Sequence, residues 1–196
     1  MPKVLWKPGT MIYPLPPVMV SCGTLESPNI ITVAWTGIIN SDPAMTYISL
    51  KPQRFSHGIV EKQQEFVINL TSEDLIRAAD LCGVKSGRDI DKFAATKLTP
   101  IKCEHIGAPM IQESPVSLEC RVVEIIKLGS HDMFLSQILG VYIDSDLMNE
   151  RGLFQLEKSG VAAFCHGHYY ALGRKLGKFG FSVEKKKSVI RRASQR

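Results

Sequence analysis

The sequence lacks the short motifs that would identify several large enzyme classes. It has no G-x-S-x-G nucleophile elbow and no G-x-G-x-x-G after an apolar strand. The glycine-rich run at residues 173–180 (GRKLGKFG) has the wrong spacing for a phosphate loop, and Phe179 stands where the Mg²⁺-binding hydroxyl belongs. These absences argue against a serine hydrolase of that type, a P-loop nucleotidase and a Rossmann nicotinamide-binding domain.

Cysteine pairs and long apolar runs are also missing. The five cysteines are odd in number and include no C-x-x-C pair, and several lie in apolar surroundings. This favours buried free thiols in a reducing compartment over a disulfide framework. No segment approaches about 18 consecutive apolar residues, and the start MPKVLWKPGT lacks the apolar core of a secretory signal. We therefore expect no membrane association and a cytoplasmic protein.

An excess of positive charge is absent from most of the chain. The net charge of +5 is carried by residues 184–196, which hold six Lys or Arg and one Glu. Residues 1–183 are neutral overall, whereas a nucleic-acid-binding domain shows a basic face on its folded body. The 196 residues, 44% of them hydrophobic, suit one core rather than two. We expect a single domain over 1–183, a basic tail over 184–196 and no nucleic-acid partner.

Three potential metal ligands fall within four residues at Cys165-His166-Gly167-His168. On a single strand Cys165 and His168 would face opposite sides, and no second pair of ligands stands at a supporting spacing. We expect no metal site.

Strand patterns dominate what is present. Residues 116–122 alternate apolar and polar side chains, and residues 65–70 and 131–144 form a shorter and a longer strand pattern. Short strands with helices inserted between them predict a mainly β, closed or nearly closed barrel.

Two helices are predicted among the strands. Leu75, Ala79 and Cys82 fall on one face of the first, which Thr71 or Ser72 can cap and Gly83 can end. The second is expected around residues 89–95, before a threonine and a proline.

The most informative stretch is residues 29–57. Two apolar, β-rich runs at 30–39 and 45–50 are joined by the turn at 40–43. Four polar side chains follow within seven positions: Lys51, Arg54, Ser56 and His57. Two strands followed by a basic loop with hydroxyl groups can hold a phosphate with a planar group attached, beside Trp35. The alternative is an ordinary hairpin with a solvated basic loop.

This stretch and several others resemble the flavin reductase-like family of FMN-binding split barrels, and within it the flavoredoxin branch. Each matching piece is short, but their order and spacing extend over roughly residues 10–183. The pieces are residues 14–18 (PLPPV), 20–23 (VSCG), 29–35 (NIITVAW), 42–43 (DP), 54–57 (RFSH), 66–69 (FVIN), 91–93 (DKF), 129–132 (GSHD) and 176–182 (LGKFGFS).

The resemblance implies a mainly β, FMN-binding split β-barrel with a few inserted helices. It also implies a homodimer with each flavin near the subunit boundary. The flavin accepts a hydride itself, so no catalytic triad is needed, and NAD(P)H can bind transiently over it. The expected function is to pass electrons from NAD(P)H through FMN to a soluble acceptor. The alternatives are a flavoredoxin-like carrier that exchanges electrons with redox proteins, and a non-catalytic binder of another phosphate-bearing ligand.

The resemblance also suggests roles for individual residues at the phosphate end. Arg54 is the expected phosphate anchor, with a surface salt bridge as the alternative. Ser56 and His57 would add hydrogen bonds to the same oxygens. Lys51 could reach them or remain solvated, and Lys92 could approach from a neighbouring segment or the partner subunit.

The remaining candidates surround the expected flavin ring. The strand residues Thr32, Val33, Ala34 and Trp35 would lie along the ring and the ribityl chain, although Trp35 could instead pack in the core. Ser49 would contact the ribityl hydroxyls. His131 is the candidate catalytic residue at the nicotinamide approach, or else a structural histidine. Phe164 and Tyr169 would shield the flavin, or else belong to the core.

Overall fold

The computed structural model describes residues 1–183, which form a mainly β architecture. Its eleven strands are β1 (Val18–Gly23), β2 (Pro28–Val33), β3 (Thr36–Ser41), β4 (Ala44–Leu50), β5 (Glu65–Asn69), β6 (Pro100–Ile101), β7 (Met110–Ile111), β8 (Val116–Lys127), β9 (Asp132–Ile143), β10 (Ala162–Cys165) and β11 (His168–Ala171). The α-helices are α1 (Phe55–Gln63), α2 (Ile76–Val84) and α3 (Lys92–Thr96). Single 3₁₀ turns occur at Glu73–Leu75, Ser145–Leu147, Leu156–Lys158 and Phe181–Val183.

Seven of the strands form one antiparallel sheet in the order β2-β1-β5-β8-β9-β4-β3. The short strands β6 and β7 pair with each other, as do β10 and β11. The strands predicted at 65–70, 116–122 and 131–144 are confirmed as β5, β8 and β9.

The two edges of the seven-stranded sheet are joined by only two residues. β2 and β3 lie at opposite edges, yet Ala34 and Trp35 alone separate them. The three Cα steps from Val33 to Thr36 span at most about 11 Å, so the sheet must curl until its edges approach each other. The prediction of one strand over residues 30–39 is wrong, because the chain passes from one edge to the other in the middle of that run.

The inner face of the curled sheet forms the main core. Val20, Ile48, Phe66 and Phe134 come from four different strands and are fully buried there. Burying a side chain of this size stabilises a fold by roughly 1.5–3 kcal/mol. The core therefore holds the strands that carry the site at fixed positions.

The helix predicted after residue 71 is present, and the side chains predicted to lie on one face of it are buried. Leu75, Ala79 and Cys82 pack with Ile30 of β2 in a second cluster. The 3₁₀ turn at Glu73–Leu75 leads into α2, and Gly83 lies inside α2 rather than after it.

The second predicted helix is shorter than expected. α3 begins at Lys92, and the Asp91 carboxylate caps it by accepting a hydrogen bond from the Ala94 N–H at 3.1 Å.

A buried carboxylate fastens the segment 103–107 to the sheet. Glu119 of β8 is fully buried and accepts hydrogen bonds from the Glu104 N–H at 2.7 Å and the His105 N–H at 3.1 Å. His105 Nδ1 lies 2.5 Å from its other oxygen. Burial alone would raise the pKa of Glu119, but these hydrogen bonds outweigh it and lower the pKa below the ordinary value.

All five cysteines are free thiols, as predicted, and all but Cys165 are buried. Within residues 1–183, no helix is long and apolar enough to cross a membrane. The predicted basic tail at 184–196 lies outside the described residues, and the single domain over 1–183 stays a prediction.

Candidate functional site

Two loops and the first turn of α1 enclose a cavity of about 150 Å³, which we call the basic corner. One loop (residues 51–54) connects β4 to α1, and the other (residues 85–88) follows α2. Four lining residues are cationic and none is acidic. The polar lining residues are Gln53, Arg54, Ser56, Lys85, Ser86, Arg88 and Lys92. This composition suits an anion.

The start of α1 adds to the positive potential of the basic corner. Arg54 precedes the helix in extended conformation, no side chain caps the helix, and no acidic residue occupies its first turn. The first N–H groups of a helix have no partner within it and carry partial positive charge. An uncapped helix start beside cationic side chains is a common binding arrangement for phosphate.

Lys92 brings a buried ammonium group to the same cavity. Its Nζ donates hydrogen bonds to the Ile30 carbonyl at 2.7 Å and the Cys82 carbonyl at 2.8 Å. Only 4% of the residue is exposed, and burial lowers the pKa of its ammonium group. Since an ammonium has three N–H groups, one remains to bind a ligand.

Ser56 and Gly87 meet at the wall of the basic corner. The Asn29 amide donates to the Ser56 hydroxyl at 2.7 Å, which leaves the hydroxyl proton of Ser56 for another acceptor. A Cβ at Gly87 would lie 2.2 Å from Asn29 Oδ1 and 2.8 Å from the Phe55 ring. Only glycine therefore lets the second loop pack this closely against β2 and the start of α1.

A second cavity of about 180 Å³, the aromatic pocket, adjoins the basic corner and shares Ile31 and Arg54 with it. Residues 31–35 and 49–51 line it, together with His131. The end of β2, the connection to β3 and the end of β4 thus form one wall beside the cationic groups.

Trp35 and His131 form the aromatic part of this pocket. Their ring centroids are 4.4 Å apart and their planes are inclined by 35°. Burial, with a smaller contribution from the Lys51 ammonium, lowers the pKa of His131. Both effects favour the neutral imidazole.

The N-terminal arm forms a third cavity, of about 420 Å³, next to the aromatic pocket. Residues 9–12 and Leu15 line one side of it, and Trp35, Tyr47 and Ser49 line the other. Trp35 and Ser49 belong to both cavities. Each cavity therefore shares lining residues with the next, from the cationic basic corner to the more apolar cavity at the arm.

The structure brings most of the predicted site residues together. Arg54, Ser56 and Lys92 line the basic corner. The predicted residues that line the aromatic pocket are Thr32, Val33, Ala34, Trp35, Ser49, Lys51, Arg54 and His131. The Thr32 hydroxyl itself donates to the Ala79 carbonyl of α2.

Three predicted residues line neither cavity. His57 is in α1 rather than in a loop, and its imidazole is buried against Asp132. Phe164 and Tyr169 lie on the β10–β11 hairpin, where their rings are 5.4 Å apart. The Tyr169 hydroxyl donates to the Asp80 carboxylate at 3.2 Å, and burial together with Asp80 raises the pKa of Tyr169 to about 12. Their roles toward a flavin stay predictions.

The motif at 165–168 forms the tip of a hairpin, so the reasoning that placed it on one strand is wrong. Cys165 and His168 are paired across β10 and β11, and His166 and Gly167 make the turn with positive φ angles of 49° and 90°. In the part of the chain that the structure describes, no three metal-ligating side chains are grouped.

Sequence reasoning missed the second loop of the basic corner. Lys85, Ser86, Gly87 and Arg88 follow α2 directly and line the cavity. Their signal was a cluster of cationic, hydroxyl and glycine residues immediately after a predicted helix end, a composition typical of anion-binding loops.

Comparison with known proteins identifies the family. The model of the "Flavin reductase like domain" matches residues 10–173. The chain belongs to this family. Among solved structures, the flavin reductase-like chain is similar to flavoredoxin of Desulfovibrio vulgaris (Miyazaki F). The two share 31% identity with a TM-score of 0.86, over 94% of this chain and 100% of the other.

Two further relatives illustrate the range of this flavin reductase-like family. A protein of Shewanella frigidimarina NCIMB 400 described as having a split barrel domain is 20% identical, with a TM-score of 0.76 over 86% of each chain. The expected split-barrel fold is thereby confirmed. FMN reductase (NADH) RutF of Serratia proteamaculans is 20% identical over 108 residues, which are 55% of this chain and 59% of that protein.

Proposed function

We propose that this flavin reductase-like protein binds FMN and passes electrons from NAD(P)H through the flavin to a soluble acceptor. The observation that carries the proposal is that the basic corner and the aromatic pocket share two lining residues, Ile31 and Arg54. FMN has the same layout: a phosphate at one end of a ribityl chain and a planar ring at the other. Bound flavin supplies the hydride chemistry, and the protein supplies position and charge.

The residues of the basic corner fit a phosphate monoester, which carries about −1.5 to −2 charges near neutral pH. Within residues 1–183, no carboxylate pairs with Arg54, Lys85, Arg88 or Lys92. Four cationic groups therefore face the cavity without an internal counter-ion. Arg54 can bind two phosphate oxygens at once, whereas Lys92 offers a single N–H from a fixed position.

The aromatic pocket offers groups suited to the ring end. Backbone between Thr32 and Trp35 passes from β2 to β3 and is not paired along a regular ladder at Ala34 and Trp35. Its amide groups can bind the polar edge of the flavin ring, and Trp35 with His131 can bind against a ring face. Neutral His131 would leave the approach to the ring free of an added positive charge.

A flavoredoxin-like electron carrier is the second candidate, favoured by the similarity to the Desulfovibrio flavoredoxin over nearly the whole chain. In this case a redox protein, rather than NAD(P)H, would reduce the flavin. The flavin would be the same, and the partner would differ.

Anaerobic reduction distinguishes these candidates. The purified protein is saturated with FMN, excess FMN is removed, and NADH or NADPH is added while the absorbance of oxidised flavin is followed. Rapid bleaching supports the NAD(P)H-dependent reductase. Bleaching only by a reduced redox protein supports the carrier. A protein that retains no FMN contradicts both candidates and leaves a binder of another phosphate-bearing ligand.

We also propose that the protein is a homodimer. Ile38 and Ile39 on the edge strand β3 are 87% and 47% exposed, although isoleucine side chains favour burial. A second copy that covered this edge would remove apolar surface from water. Light scattering after size-exclusion chromatography measures the mass directly, and a monomer at micromolar concentration would contradict the proposal.

A further inference from the structure

His57 and Asp132 form a hydrogen-bonded pair inside the protein. His57 Nε2 lies 2.9 Å from Asp132 Oδ2, and the two residues are only 5% and 6% exposed. The Glu61 carboxylate lies 3.9 Å from the other ring nitrogen of His57. The Phe134 ring packs edge-on against the imidazole at 5.1 Å. The imidazole is thus held by one hydrogen bond at Nε2 and by an aromatic neighbour.

The pair joins the two ends of the candidate site. His57 directly follows Ser56, in the first turn of α1, and Ser56 lines the basic corner. Asp132 directly follows His131, which stacks on Trp35 in the aromatic pocket. One hydrogen bond therefore connects the helix whose first turn lines the basic corner with the start of the strand that His131 immediately precedes.

Stability alone does not account for a polar pair at this position. A buried carboxylate and imidazole lose their hydration, and well-packed apolar side chains of similar size usually stabilise a fold as much or more. A hydrogen bond differs from apolar contact in being directional, because it fixes the distance and angle between its two groups. The pair is thus suited to fixing geometry.

We propose that His57 and Asp132 are positioning residues that hold the basic corner and the aromatic pocket at a fixed separation. The occupation of one cavity is then transmitted to the other through α1 and the start of β9. The proposal rests on the proposed flavin site, since its purpose is to match the site to one ligand length. Neither residue lines either cavity, so neither is assigned a contact with the ligand.

The test uses flavin-free full-length protein, inorganic phosphate as the probe and 5-fluorotryptophan in place of both tryptophans. Phosphate affinity reports on the basic corner, and the ¹⁹F signal of Trp35 reports on the aromatic pocket. The signal of Trp6, which lies on the N-terminal arm and is 69% exposed, serves as an internal reference. In the wild type, phosphate is expected to bind and to shift the Trp35 signal.

Three variants separate positioning from stability. The double variant His57→Leu/Asp132→Leu removes both polar groups together, so that no buried charge is left unpaired. Asp132→Asn keeps an acceptor for the imidazole. Val60→Ala is the matched control, because Val60 is a fully buried core residue of the same helix that lines neither cavity.

The double variant is expected to bind phosphate about three- to tenfold more weakly. This factor corresponds to the free energy of one hydrogen bond, here the one between His57 and Asp132. The double variant should also lose most of the Trp35 shift at saturating phosphate. Asp132→Asn and Val60→Ala should retain both properties, although Val60→Ala melts at a lower temperature. A folded double variant with wild-type affinity and shift would overturn the proposal.

If the double variant does not fold, His57→Asn decides, because its shorter side chain cannot bring a polar atom to Asp132 and should therefore reduce the Trp35 shift; an unchanged shift overturns the proposal. The proposal is also overturned if phosphate does not shift the Trp35 signal of the wild-type protein. None of these measurements needs flavin. If the protein retains FMN but phosphate does not shift the Trp35 signal, the proposed function stands and only this inference is wrong.

Discussion

The imidazole of His131 stacks on the indole of Trp35 at 4.4 Å between ring centroids. Trp35 lies on the two-residue connection between the sheet edges, and His131 immediately precedes β9. The contact therefore links two segments that are far apart in sequence. Among the described residues that line the aromatic pocket, it places the one titratable ring beside the largest apolar side chain, so protonation of His131 would add a positive charge to those of Lys51 and Arg54.

We expect Lys51→Gln to raise the pKa of His131. Burial and the Lys51 ammonium both lower this pKa, so removing the ammonium brings it closer to the ordinary value, while burial keeps it below that value. Titration of the imidazole C–H resonances by NMR measures the change. Lys62→Gln is the control, since it removes the same charge from the last turn of α1, outside the aromatic pocket. Equal shifts in both variants would contradict a specific effect of Lys51.

We expect Arg54→Ala to weaken FMN binding by about 1.5–3 kcal/mol, or roughly 10- to 150-fold, because a charged hydrogen bond to phosphate is lost. Riboflavin lacks the phosphate, so its affinity should change much less. Quenching of flavin fluorescence on binding measures both constants. Arg77→Ala is the matched control, an exposed arginine of α2 that lines neither cavity. Equal losses for FMN and riboflavin would place the phosphate elsewhere.

We expect Gly87→Ala to damage the basic corner. The new methyl group would overlap the Asn29 amide and the Phe55 ring and displace the hydrogen bond from Asn29 to Ser56. Overpacking of this kind costs about 1–3 kcal/mol of stability, and FMN affinity should fall with it.

Gly58→Ala is the opposite case and the control for Gly87→Ala. Gly58 lies inside α1, and a Cβ there meets no atom within 4 Å. Alanine is favoured over glycine in a helix by about 0.5–1 kcal/mol, so this variant should be at least as stable as the wild type. Urea unfolding measures both changes. A Gly87→Ala protein as stable as Gly58→Ala would contradict the packing at the corner.

We expect acid to weaken the attachment of residues 103–107 through Glu119. The folded-state pKa of Glu119 lies below its unfolded value of 4.5. Its contribution to stability is therefore complete above pH 4.5 and is lost as the pH falls through the folded-state pKa. Glu119→Gln should be less stable at pH 7 by about 1–3 kcal/mol and should lose less stability on acidification. Urea unfolding across this pH range tests both, with the exposed Glu150→Gln as control.

The elements that could be predicted from the sequence are those with a local pattern. The buried face of α2 follows from the spacing of Leu75, Ala79 and Cys82, and β8 follows from its alternation. Arg54 and Lys92 were candidates, and the structure places both at one cavity. The break at Ala34 could not be predicted, because apolar residues continue on both sides of it.

The rest of the site depends on contacts between distant parts of the chain. Lys85 and Arg88 reach the basic corner only because α2 packs on β2, which no local pattern shows. The orientation of His57 depends on whether residue 57 is in a loop or a helix. A loop leaves its side chain free for a ligand, whereas the first turn of α1 directs it to Asp132.

The two residues between Val33 and Thr36 have two structural roles. They join the two edges of the sheet, and they also line the aromatic pocket. Lengthening this link to admit a bulkier ring would also separate the sheet edges, so ligand size on this side is limited by the fold itself. Room for a larger ligand can be gained with less disturbance on the opposite side of the arm cavity. There the arm at residues 9–12 is exposed and can be resized without altering a strand. Redesign of this protein for larger ligands should begin with that arm.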